Sequence, residues 1–218
     1  MGAGSFSAQI ERVHLYQKAS SGAGMDKLLL ESSLVKAPRD VSPDGRFLLY
    51  LQVDPKTSFD LWVLPLFGEH KPFPFVNTSF SEINGQFSPD GRWVAYQSDE
   101  SGRDEVYAQP FPGPGGKELV STGGGIQPRW RRDGKELFYI APDGKLMAAP
   151  IQSDGQLLEA GAPVALFQTR IVGGGQSLQQ PQYAVAPDGR RFLINVTADE
   201  STASSITIVT NWARALKK

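Results

Sequence analysis

The 218-residue chain contains no cysteine, so neither a disulfide framework nor a thiolate metal site can be built from it. Histidine is almost as scarce. His14 and His70 are the only two, and a zinc site would have to recruit several carboxylates around them. An excess of one charge is missing as well: 22 Lys and Arg stand against 23 Asp and Glu, a formal net charge of −1. Short basic clusters such as Arg129-Trp130-Arg131-Arg132 and Lys217-Lys218 stand isolated. A nucleic-acid footprint needs a basic patch or stripe, so no nucleic-acid partner is expected. No apolar run reaches the length of a membrane helix, and no signal-peptide pattern opens the chain. The expectation is a soluble segment with no membrane contact of its own.

Motifs for nucleophilic and phosphate chemistry are also absent. Gly175-Gln176-Ser177-Leu178-Gln179 lacks the final glycine of a nucleophile elbow. Gly115-Gly116-Lys117 is followed by Glu118 and lacks the upstream glycine of a phosphate loop. Kinase motifs do not occur. The triple glycines 123–125 and 173–175 read as connectors between larger units.

What the chain does have is a phrase written four times: Ser42-Pro43-Asp44-Gly45-Arg46, Ser88-Pro89-Asp90-Gly91-Arg92, Arg131-Arg132-Asp133-Gly134-Lys135 and Ala186-Pro187-Asp188-Gly189-Arg190. The aspartates are 46, 43 and 55 residues apart. Periods in the forties mark β-propeller blades. The phrase is a turn: Pro presets φ at the second position, Asp suits the third, and Gly takes the left-handed backbone that follows. Short segments precede it (83–87, 127–130, 182–185), and apolar runs ending in a bulky residue follow it. A third strand then repeats as Asp60-Leu61-Trp62-Val63-Leu64-Pro65-Leu66 and Glu105-Val106-Tyr107-Ala108-Gln109-Pro110-Phe111, with His14-Leu15-Tyr16-Gln17-Lys18 aligned to both. Residues 144–151 fill the same slot in the fourth unit, and segments 28–31, 72–76, 118–121 and 164–168 close the units.

Four strands per repeat give an all-β chain of four-stranded antiparallel blades. Such a unit has two apolar faces to cover, and stacking the units around an axis covers both. A sandwich would lack a repeat of this length. Helix signals are weak, and only residues 212–217 suggest a turn or two.

The Ser-Pro-Asp-Gly-Arg phrase, the Asp-Leu-Trp strand and Ser98-Asp99-Glu100-Ser101-Gly102-Arg103 resemble the TolB-type β-propeller repeat. Residues 87–151, with the ending Ile206-Thr207-Ile208-Val209-Thr210-Asn211-Trp212, resemble the C-terminal propellers of bacterial serine/threonine kinases. That resemblance implies a bacterial, non-catalytic sensor or protein-interaction domain whose parent is extracytoplasmic. It also implies six or more blades, whereas this chain supplies about five, with the first and last incomplete. The expected division is a disordered or appended stretch at 1–10, one partial propeller over 11–212 and a tail at 213–218. Incomplete end blades expose apolar sheet faces, so a homo-oligomer that completes the propeller is the expected partner, alongside another protein or a small ligand.

Propellers present ligands in the axial channel. Alignment on the turn phrase puts Asp40, Gln86, Arg129 and Ala184 at one channel-side position, with Pro38, Asn84, Gln127 and Gln182 two residues earlier. The channel ligand-binding candidates are therefore Asp40, Asn84, Gln86, Gln127, Arg129 and Gln182. Either these line a water-filled channel with no cofactor, or Asp40, Asn84 and Gln86 hold a divalent cation such as calcium through oxygen ligands. In the second case the chain is a hydrolase of esters or phosphoesters, with Arg129 stabilising developing negative charge. Trp62, Phe73, Phe75 and Phe111 are candidates for an exposed apolar contact surface, or else blade packing. His14 stands where the sister repeats have Asp60 and Glu105, a position expected to tie strand to loop, and His70 is expected to be solvated in a polar turn.

Overall fold

The computed structural model describes residues 14–113, 115–171 and 181–196. They form five consecutive antiparallel sheets. The first holds β1 (Leu15–Gln17) and β2 (Lys27–Leu30). The second runs β3 (Lys36–Val41), β4 (Phe47–Asp54), β5 (Ser58–Pro65), β6 (Phe73–Val76). The third repeats that meander as β7 (Glu82–Phe87), β8 (Trp93–Ser98), β9 (Glu105–Pro110), β10 (Glu118–Leu119). The fourth has β11 (Ile126–Trp130), β12 (Glu136–Ile140), β13 (Lys145–Ser153), β14 (Leu158–Ala160) and β15 (Val164–Gln168). The fifth holds β16 (Tyr183–Val185) and β17 (Phe192–Ile194). This is a β-propeller in which the outer sheets hold two strands each among the described residues.

The repeated phrase closes each sheet's first hairpin as its chemistry dictates. Gly45 sits at φ 71° and donates its N–H to Ser42 O at 2.8 Å, while Asp44 Oδ1 takes the Arg46 N–H at 3.0 Å. The Ser42 hydroxyl bonds Asp44 Oδ1 and accepts the Phe47 N–H at 2.9 Å. Ser88, Asp90 and Gly91 reproduce this arrangement. In the fourth sheet Arg131 replaces the serine, and its guanidinium bonds Glu136 at 2.8 Å.

Strand alternation then builds the core between sheets, because successive side chains point to opposite faces. On β4, Leu48 and Tyr50 pack toward the first sheet while Leu49 and Leu51 pack toward the third. On β12, Leu137 and Tyr139 face back and Phe138 and Ile140 face forward. Four apolar clusters thus fill the four junctions. Each large side chain so buried contributes about 1.5–3 kcal/mol. Gly85 marks the closest approach: a Cβ there would lie 2.7 Å from Leu49 and 3.0 Å from Leu61.

The fourth sheet departs from the expected four-strand meander. β13 is nine residues long, and its end outruns β12. The C-terminal half of β13 pairs with β14, and the N-terminal half pairs with β15 in the place where the closing strand was expected. This added strand accounts for part of the 55-residue interval. The expected strand at 206–211, the helical turn at 212–217, the glycines 173–175 and the stretch 1–10 lie outside the described residues.

Candidate functional site

The first strands of successive sheets pack on one another, β3 on β7, β7 on β11 and β11 on β16, and make the inner wall of the propeller. Each of β3, β7 and β11 carries a one-residue bulge against its partner strand, between Pro38 and Asp40, Ile83 and Gln86, and Ile126 and Arg129. Within two of these bulges Asn84 and Gln127 both take φ 56°. A bulge bends its strand and re-aims side chains. Here it brings the polar residue of one sheet to the backbone of the next.

Asp40 and Gln86, equivalent in the repeat, do the same work. Asp40 Oδ2 accepts the Phe87 N–H at 2.9 Å, and Gln86 Oε1 accepts the Trp130 N–H at 2.9 Å. Trp130 adds an indole N–H to Gln86 O at 3.3 Å. Two residues earlier, Asn84 donates to Gln97 Oε1 at 3.0 Å, and that oxygen also receives the Gln127 N–H at 3.3 Å. Gln127 and Gln182 embrace: Oε1 takes the Gln182 N–H at 2.8 Å, and Nε2 donates to Gln182 Oε1 at 3.1 Å. The Tyr183 hydroxyl closes this junction on Gln127 O at 2.9 Å. Five of the six candidates are therefore engaged in links between or within neighbouring sheets. Gln97 and Tyr183 belong to the same network, and neither stands at an aligned channel position.

Arg129 is the exception. A guanidinium has donors and no acceptor, so it cannot repeat the bond that Asp40 and Gln86 make. Its Nη1 donates to the adjacent Pro128 O at 3.0 Å. Arg39, beside Asp40, has its Nε and Nη2 buried without a hydrogen-bond partner. Burial lowers the pKa of both arginines, and Arg129 lowers that of Arg39 further. Burial raises the Asp40 carboxyl, against the opposing pull of the Phe87 and Val41 N–H groups and of Arg129. Among the described residues no group of three or more His, Asp or Glu gathers as a metal site.

The aromatic candidates are packed between sheets. Phe111 lies 5.1 Å from Phe47, 6.1 Å from Phe75 and 4.9 Å from Phe87, ring centre to ring centre. Phe73 joins the same cluster, and Trp62 packs with Leu15 and Leu64. The exposed apolar side chains are others, among them Met25 at 94 % and Leu193 at 79 %. His14 ties strand to loop as expected, its Nδ1 taking the Ser32 N–H at 3.1 Å. His70 differs from expectation: it is half-buried, and its Nδ1 bonds Pro65 O at 2.9 Å, which closes the turn. A cleft of about 720 Å³ lies between the turns of the third and fourth sheets, where Pro89, Trp93, Trp130, Lys135 and Gln152 line it.

No family model and no curated protein matches the chain. Among solved structures, a TolB-like protein of Agrobacterium tumefaciens superposes with a TM-score of 0.54 at 17% identity, over 72% of this chain and 59% of its own. TolB of Acinetobacter baumannii gives 0.53 at 18%, over 85% and 49%. The periplasmic gluconolactonase of Pseudomonas aeruginosa gives 0.51 at 17%, over 84% and 56%. The chain spans about half the length of these proteins. At such identities the likeness is one of fold, and the fold is the β-propeller.

Proposed function

We propose that the chain is a non-catalytic β-propeller module for sensing or protein interaction, part of a larger receptor-like bacterial protein of the kinase-linked kind. The observation that carries this reading is the paired use of Asp40 and Gln86 as acceptors for the backbone of the next sheet. Side chains so engaged hold a scaffold together, and a scaffold of stacked sheets offers its rims and faces to partners. The solved neighbours include both TolB proteins and a gluconolactonase, so fold alone does not choose between binding and catalysis.

One observation favours the hydrolase reading as a second: Arg39 and Arg129 bring donors to the inner wall that have not found acceptors on a neighbouring sheet. Ester turnover and metal content, measured with and without chelator and again on Asp40→Ala, separate the two. The module reading expects no turnover in any sample. Turnover abolished by chelator and by Asp40→Ala would replace it with the hydrolase.

A second copy of the chain is the partner we propose for the end faces. Leu193 occupies the repeat position of Leu49, Ala95 and Phe138, which are at most 1% exposed beneath the following sheet. Among the described residues β16 and β17 supply the first two strands of a blade and β1 and β2 the last two; a strand at 206–211 would duplicate the place of β1, and one of the two would have to yield on merging. Light scattering should then find a species heavier than the 23.7 kDa chain. A monomer at all concentrations contradicts this.

A further inference from the structure

We infer that Asp60 and Glu82, at the junction of the second and third sheets, bind a hard divalent cation of the calcium class. Both carboxylates are fully buried at 0% exposure. Each keeps one oxygen, Asp60 Oδ1 and Glu82 Oε2, enclosed by protein and without a hydrogen-bond partner. A buried carboxylate oxygen left in this state is costly: the group either takes up a proton or is paired with or coordinates a cation.

The two side chains share one cluster of loops. Asp60 Oδ2 accepts the Thr57 hydroxyl at 2.6 Å, and Glu82 Oε1 accepts the Thr78 hydroxyl. The Ser58 and Ser81 hydroxyl oxygens stand 3.4 Å apart, which joins the segments leading into the two acids. Asn77 reaches Thr57 across the same gap at 3.5 Å. Hydroxyl, amide and carboxylate oxygens are the donor set that a calcium ion takes. Burial pushes the Glu82 carboxyl up to about 7, and Asp60 and Asp99 add to that rise against the Thr78 bonds. The site lies at the opposite end of β7 from Gln86 and Phe87, and is distinct from the channel candidates.

The neighbouring junctions show how the same two repeat positions are neutralised elsewhere. Between the first and second sheets they hold His14 and Lys36, and the Lys36 ammonium bonds Ser32 Oγ at 2.5 Å and Gln52 Oε1 at 2.8 Å. Between the third and fourth they hold Glu105 and Gly125. There Glu105 receives the Gly124 N–H at 3.0 Å, the Ser121 hydroxyl and the Arg103 guanidinium at 2.7 Å. Of these three junctions the middle one stacks two acids, and among the described residues no cationic side chain is bonded to Asp60 or Glu82.

The test is calcium titration calorimetry on the intact chain after chelator treatment. The expected result is saturable binding with a Kd of about 10⁻⁵–10⁻³ M, in the range of sensor and extracellular sites. Asp60→Asn and Glu82→Gln should each weaken it at least tenfold, while Glu105→Gln leaves it unchanged. Absence of saturable binding, or affinity retained in both variants, overturns the proposal in favour of a shared proton. Should either variant fail to fold, anomalous scattering from crystals of the unaltered chain grown with calcium decides. A peak between Asp60 and Glu82 supports the site, and no peak there overturns it. The module reading stands in either case, because it rests on the inner wall.

Discussion

The junction between the second and third sheets and the junction between the third and fourth are built from the same repeat and solve the same problem differently. Both place an acid at the start of the third strand, Asp60 in one and Glu105 in the other. Glu105 is met by a backbone N–H, a hydroxyl and an arginine, and the opposing position is glycine. Asp60 is met by the Thr57 hydroxyl and the Asn77 amide, with no cationic side chain bonded to it among the described residues, and faces a second acid, Glu82. Gly125 has a steric reason as well. A Cβ there would stand 2.8 Å from Ser121 Cβ and 2.8 Å from Tyr139. The lesson is that the repeat conserves the backbone and lets each junction settle its own electrostatics. A junction left with uncompensated charge is where a ligand belongs.

Forcing the third-to-fourth junction to imitate the second-to-third should have the largest effect. Gly125→Glu adds both a steric clash and a second buried acid beside Glu105. A loss of about 3 kcal/mol or more in urea unfolding is expected. Removing the acid instead, by Glu105→Ala, leaves the Gly124 N–H and the Ser121 hydroxyl without their acceptor. That variant should lose about 2–3 kcal/mol, at the upper end for an unmet buried group. The opposite sign is expected from Glu82→Gln in calcium-free buffer, because it removes one of two like charges. A gain of about 1 kcal/mol, or roughly 2–4 °C in Tm, is the expected size for a chain of this length. If Glu82→Gln and Glu105→Ala destabilise alike, the contrast between the junctions fails.

Much of this architecture is legible in the sequence because turns and alternation are local. The Ser-Pro-Asp-Gly phrase places four hairpins, and β15 occupies the residues 164–168 that repeat alignment assigns. β14 is not legible, since it depends on how far β13 extends beyond its partner. The channel candidates lie on or beside the inner strands, and the hydrogen bonds of Asp40, Gln86, Gln127 and Gln182 run to the neighbouring sheet, which only three-dimensional register reveals. Asp40 and Gln86 look like ligands in one dimension and are inter-sheet acceptors in three. The aromatic candidates take the packing alternative: Phe111 meets Phe47 and Phe75 of the adjoining sheet and Phe87 of its own. Asp60 carries a signal visible in the alignment, an acid shared with Glu105. That signal says strand-to-loop tie, and only the unpaired oxygens of the folded protein distinguish the two positions.

Amide hydrogen exchange, read peptide by peptide with and without calcium, tests the contrast most directly. Calcium should slow exchange in residues 57–60 and 77–82 and leave residues 102–106 and 121–125 unchanged. Equal protection of both regions, or protection of neither, would contradict the claim that the second-to-third junction is the one built to hold a cation.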